Sequence, residues 1–117
     1  IEELEFNGVL YQISELLGTD PLLMPTEFEL YSPYPNPFNP KTIITFDIPR
    51  SSDVYLRVFD VNGSLVRSLN SSKLRAGKYQ VEWDGKSDNG KILSTGVYFV
   101  QLTSTSYRNM KKVLLVK

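Results

Sequence analysis

Tyr34-Pro35-Asn36-Pro37-Phe38-Asn39-Pro40 places three prolines within six residues, interleaved with two asparagines and one phenylalanine. Proline fixes φ, donates no backbone hydrogen bond and holds the residue before it in extended geometry. Such a run fits neither the interior of a helix nor a central strand. It reads as a rigid, mostly extended connector. On its far side the chain changes character and becomes strand, turn, strand to its last residue. That boundary points to an appended module rather than an enzyme.

From Thr42 onward the apolar residues alternate. Ile44, Phe46 and Ile48 share one face of a strand over 42–48, while Ile43, Thr45 and Asp47 take the other. After the turn at Pro49-Arg50-Ser51-Ser52, a strand over 53–61 carries Val54, Leu56 and Val58 inward and Tyr55, Arg57 and Phe59 outward. Asn62-Gly63 then separates it from a strand over 64–69. An Asn-Gly pair between two apolar runs predicts a hairpin closed by a type I′ turn. Further strands are expected over 77–83, with Tyr79, Val81 and Trp83 on one face, over 97–103 and over 110–116. A short extended piece, Phe28 to Tyr31, leads into the proline run. Strands at roughly ten-residue spacing, bounded by turns, predict an all-β protein. The architecture expected is an immunoglobulin-like antiparallel β-sandwich of about seven strands.

Upstream, Val9, Leu10, Ile13, Leu16 and Leu17 fit one helical face between Gly8 and Gly18. The same region also fits the end of a hairpin turning at Asn7-Gly8. The helical reading is the favoured one. Residues 19–27, with Pro21 and Pro25, read as linker. The division expected is a leader or cargo remnant over 1–27 and a domain over 28–117. The start Ile1-Glu2-Glu3-Leu4 suggests the tail of a longer protein.

Thirteen basic and thirteen acidic residues give zero formal charge. That argues against nucleic-acid binding, which needs a basic excess on one face. No apolar run approaches the roughly 18–20 residues of a membrane-spanning helix. The chain has no cysteine and no histidine. Thiol chemistry, imidazole bases and the usual soft metal ligands are therefore missing, and stability must come from a packed core. No catalytic residue, metal or cofactor is expected. Asp53, Asp60, Asp84 and Asp88 sit at strand ends and turns, where Asp serves local hydrogen bonding. Asp84 to Gly90 resembles a calcium loop only superficially. Lys86 stands at a ligand position and Thr95 where a glutamate is required. Trp83 and the tyrosines could form a sugar platform, but Trp83 alternates with Tyr79 and Val81 as an interior anchor. Asn62-Gly63-Ser64 and Asn70-Ser71-Ser72 match the glycosylation acceptor pattern and are explained as turns. Lys111-Lys112-Val113-Leu114-Leu115-Val116-Lys117 reads as an edge strand guarded by lysines, or as a recognition tag.

Taken in order, Pro35-Asn36-Pro37-Phe38-Asn39-Pro40, Thr42-Ile43-Ile44-Thr45-Phe46, Val58 to Gly63, Ala76-Gly77, Trp83-Asp84-Gly85, Gly96-Val97-Tyr98-Phe99 and Lys111 to Lys117 resemble the C-terminal sorting domain (type A) of type IX secretion cargo. They are also similar to the immunoglobulin-like domain of the flagellar hook-capping protein. The resemblance covers residues 28–117. It implies a non-catalytic module that carries an upstream cargo domain through the outer membrane by protein–protein recognition. The implied partners are the type IX translocon and a sortase-like peptidase that cuts within about residues 19–33. The implied location is the periplasm in transit, then the cell surface or the medium. The residues the resemblance singles out are Pro35, Asn36, Pro37, Phe38, Asn39 and Pro40, the hairpin pair Asn62 and Gly63, Gly96 and Tyr98, and Lys111, Lys112, Val113 and Lys117 of the terminal signal. An edge strand at the end of the chain also makes a strand-exchanged homodimer conceivable. The alternative functions are a carbohydrate-binding module and a structural immunoglobulin-like spacer.

Overall fold

A computed structural model describes residues 10–12 and 24–117. The elements are β1 (Leu10–Gln12), β2 (Glu29–Leu30), β3 (Thr42–Ile48), β4 (Ser52–Phe59), β5 (Leu65–Leu74), β6 (Gly77–Trp83), β7 (Gly96–Ser104) and β8 (Tyr107–Leu115). They form two four-stranded sheets, ordered β1-β6-β3-β2 and β5-β4-β7-β8. Every named pair is antiparallel. From residue 28 onward this is the expected sandwich of seven strands, β2 to β8.

The alternation read from the sequence is the alternation of burial. Ile44, Phe46 and Ile48 from β3, with Tyr79, Val81 and Trp83 from β6, fill the inner face of the first sheet. Val54, Leu56 and Val58 from β4, Tyr98, Val100 and Leu102 from β7, and Val113 and Leu115 from β8 fill the other. The ring of Phe46 stacks on Tyr79 with centroids 5.5 Å apart. Most of these side chains leave water entirely, each contributing roughly 1.5–3 kcal/mol before chain entropy is subtracted.

Three sequence readings change. The helical face expected over 1–18 is not helix where it is described: Leu10–Gln12 is a strand on the free side of β6, Leu10 opposite Val81. Pairing to an open sheet edge overrides a local helical pattern. The rest of that segment lies outside the described residues. Second, β5 runs on through Asn70-Ser71-Ser72 to Leu74 instead of turning there. The ladder with β4 continues past the end of the apolar pattern, and Asn70 Nδ2 donates to Val54 O at 2.9 Å. Third, the Asn62-Gly63 hairpin is present but is not a two-residue I′ turn. Asp60 O accepts from Gly63 N at 3.0 Å, Asp60 N donates to Ser64 O, and Gly63 takes φ +81°. Asp60 Oδ1 also accepts from Asn62 N and Ser64 N, at 2.9 and 3.0 Å. That carboxylate stabilises the three-residue loop, with glycine at the left-handed position.

Candidate interaction site

The proline run does not merely connect. Tyr34 and Ile43 exchange backbone bonds at 3.1 and 2.9 Å, which ties the start of the run to β3. Thr42 Oγ1 donates to Pro35 O at 2.8 Å, which accounts for a fully buried threonine at the head of that strand. The other side of the run faces β8. Phe38 N donates to Leu114 O at 2.9 Å, and Val116 N donates to Phe38 O at 3.0 Å, a parallel bridge centred on Leu115. Two residues earlier, the Asn36 side chain does the same work. Its Nδ2 donates to Lys112 O at 3.1 Å, and its Oδ1 accepts from Leu114 N at 2.9 Å. Proline leaves few donors in this stretch. The residues between the prolines supply the pairing, partly through a side-chain amide that offers both a donor and an acceptor.

The Phe38 ring anchors the bracket. It is 2% exposed and lies 5.3 Å from the Trp83 ring, which in turn meets Tyr98 edge-on at 5.6 Å. Trp83 Nε1 donates to Lys86 O at 3.0 Å, and Tyr98 OH donates to Ser94 O at 2.7 Å. Both polar handles of the buried aromatics are thereby satisfied. Gly85 closes this pocket with φ +75°, and a Cβ there would lie 3.4 Å from Leu115 Cδ1 and 3.6 Å from Phe38 Cε2. Tyr98 stands opposite Val113 and Gly96 opposite Leu115, while Lys117 N donates to Thr95 Oγ1 at 3.2 Å.

The structure therefore brings Pro35 to Pro40 and the Lys111–Lys117 stretch together along one edge, with Gly96 and Tyr98 on β7 directly behind it. Asn62 and Gly63 lie apart from it. Gly63 lines a shallow groove on the outer face of the second sheet, with Phe59, Val61, Phe99, Gln101 and Met110. Of the terminal residues, Lys112 and Lys117 are exposed, Lys111 is half-buried and Val113 is wholly buried. The last strand is thus not a freely displayed ribbon: its outer edge is bracketed, and Val113 and Leu115 belong to the core. Thr42, Gly85 and Leu114 lie within stretches that carry the resemblance, but the sequence did not single them out or show that they meet here. For Thr42, a threonine opening an apolar strand was the available signal.

Elsewhere the polar residues hold structure. Trp83 is buried and offers no sugar platform. In the calcium-like loop, Asp84 Oδ1 accepts from Arg67 Nη1 and Lys86 N, and Asp88 Oδ1 accepts from Ser68 N. On the first sheet, Asp47 and Lys78 face each other across β3 and β6, with Lys78 Nζ 2.8 Å from Asp47 Oδ1. Tyr31 OH donates to Asp47 Oδ2 and accepts from Lys78 Nζ. The bond to Asp47 holds the Tyr31 hydroxyl above its ordinary pKa. Burial by itself would lower Lys78, but its bonds to Asp47 and Tyr31 outweigh that and raise it.

With this geometry in place, the relatives are informative. Residues 36–107 match the FlgD Ig-like domain. The chain belongs to that family. It is 35% identical over 49 residues to the basal-body rod modification protein FlgD of Salmonella typhimurium, a match covering 42% of this chain and 21% of that protein. The FlgD of Salmonella typhi gives the same figures. The matched region therefore spans about a fifth of these relatives. Among solved structures, FlgD of Pseudomonas aeruginosa superposes with a TM-score of 0.51 and 26% identity, over 63% of this chain and 60% of that one. Dimeric latent PorU of Porphyromonas gingivalis superposes at 0.63 with 21% identity, over 79% of this chain and 9% of that one. PorZ, described as an essential bacterial surface component of the type-IX secretion system of the same organism, superposes at 0.54 with 19% identity, over 91% and 12%. At those identities the last two likenesses speak to the fold.

Among the described residues no helix is long and apolar enough to cross a membrane, which says nothing of strands.

Proposed function

We propose that this immunoglobulin-like domain is a non-catalytic type IX sorting module, recognised by proteins of that secretion machinery while it carries an upstream cargo outward. The observation that carries the reading is the meeting of the proline run and the terminal basic strand on one edge, through four hydrogen bonds. The two stretches that gave the resemblance its ends form one surface. The fold likeness to PorU and PorZ agrees with it, and the expected location is the cell exterior after passage through the periplasm. Recognition acts through the terminal lysines and the strand that bears them, and a sortase-like peptidase cuts within about residues 19–33.

Deleting residues 111–117 would not test this cleanly, because Val113 and Leu115 are core residues. Reversing Lys111, Lys112 and Lys117 to glutamate leaves the core intact. In a reporter fused ahead of the chain and expressed in a bacterium with a type IX translocon, surface export should fall about tenfold or more, at an unchanged thermal midpoint. Normal export of the triple variant would overturn the reading. A second reading, a structural spacer, draws on the family membership itself. It requires self-association, which light scattering of the full chain measures.

A further inference from the structure

We propose that the outer edge of β8, from Met110 to Leu114, is a strand-addition site held shut by asparagine side chains, and that its occupant is an extended, acidic segment of a partner protein. This rests on the sorting reading above and specifies how the strand is read.

The alternation of β8 fixes which backbone groups face outward. Lys112 O, Leu114 N, Leu114 O and Val116 N meet Asn36 and Phe38, so the even-numbered residues present their backbone away from β7. Over the stretch from Met110 to Leu114 N, the outward groups that find partners find them in side chains. Met110 N donates to Asn109 Oδ1 at 2.8 Å, and Lys112 O and Leu114 N are held by the Asn36 amide. Both asparagine contacts are at the surface. The arrangement is a strand's ladder filled by placeholders, and an extended backbone is what carries donors and acceptors at that repeat. Beyond Leu114 the cover is different in kind: Phe38 contributes backbone and is anchored by a buried ring. The site therefore ends where the anchored part begins. Charge selects the occupant. β8 carries Arg108, Lys111 and Lys112 and no acidic residue, and none of the three cations pairs with a carboxylate among the described residues. An incoming strand with carboxylates would meet unpaired cations.

The test uses the same reporter fused ahead of the full chain. Lys112→Pro removes an outward N–H, a position where an edge strand tolerates proline, and blocks strand addition. Lys112→Ala controls for the lost charge. Export of Lys112→Pro should fall about tenfold below that of Lys112→Ala, the loss expected when a strand cannot dock. Hydrogen exchange at Val113 and Leu115 should stay slow in both, reporting an intact β7–β8 ladder. Asn36→Ala frees the site. The Leu114 amide should then exchange about tenfold faster, and export under limiting translocon should rise by about threefold because the competent state is more populated. Equal export of the proline and alanine variants with the ladder intact overturns strand addition and leaves the sorting reading standing. Should the proline variant fail to fold, Asn36→Ala decides: faster exchange at Leu114 without a change in export overturns the proposal. A wild-type reporter that is not exported removes both readings.

Discussion

The two edges of the second sheet are closed by different chemistry. At β8 the cover is Asn36 and Phe38; at β5 it is Asp88, whose N donates to Val66 O at 2.9 Å and whose Oδ1 accepts from Ser68 N at 2.9 Å. An amide offers both a donor and an acceptor, so the Asn36 side chain alone spans a carbonyl and an N–H on β8. A carboxylate only accepts, so Asp88 must bring its own backbone N–H to complete the same pattern. The carboxylate also sits beside Arg67, with Nε 3.9 Å from Oδ1. The larger difference is underneath. The β8 cover is pinned by a buried phenylalanine ring, while the Asp88 side chain is more than half exposed. One edge is closed by a segment that belongs to the core, the other by a surface loop. A strand tied to the core through its cover can be loosened at one end without losing the other, so the edge stays protected.

The comparison breaks most severely if the anchor is removed. Phe38→Ala vacates the space between Trp83, Leu115 and Gly85 and should cost about 3–5 kcal/mol, read from denaturant unfolding. A loss below about 1 kcal/mol would mean that the ring is not holding the bracket. Exchanging the two covering chemistries sharpens the contrast. Asn36→Asp keeps the acceptor for Leu114 N but turns a carboxylate oxygen towards Lys112 O, and should cost about 1–2 kcal/mol. Asp88→Asn keeps the acceptor for Ser68 N and loses a long ion pair whose carboxylate is exposed, and should cost about 0–1 kcal/mol. Equal costs at the two sites would erase the distinction drawn between the edges.

The smallest effect lies away from both edges and serves as their control. Tyr31 and Lys78 each hold their proton more tightly in the fold than at their ordinary values of 10.0 and 10.5. Their contribution is therefore complete below pH about 10 and is lost as pH rises through the raised folded values. Thermal midpoints measured upward from pH 9 should fall for the wild type and fall less for Tyr31→Phe. An identical decline in both would show that this cluster does not couple to folding.

Much of this was legible in the chain. Period-two alternation located β3, β4, β6 and β7 nearly to the residue, because one face of each is buried and a one-residue slip would turn every side chain outward. Trp83 was recognisable as an interior anchor from Tyr79 and Val81 alone. The second half of β5 was not legible: Asn70, Ser71 and Ser72 carry no apolar signal, and their strand geometry comes from the ladder with β4. Leu10–Gln12 fitted a helical pattern as well as a strand, and the neighbouring edge of β6 decided it. The turn at Asn62-Gly63 was found, but its type depended on Asp60, two residues earlier.

By itself, then, the sequence determined the layers, the inward faces and the break at the prolines, because alternation, turn residues and fixed proline φ act over a few neighbouring positions. Only the tertiary structure decided that Asn36 and Phe38 would close the edge of a strand more than seventy residues away. No local pattern encodes such a pairing. It exists because burying the Phe38 ring against Trp83 carries the backbone of the proline run against outward-facing groups at the end of β8.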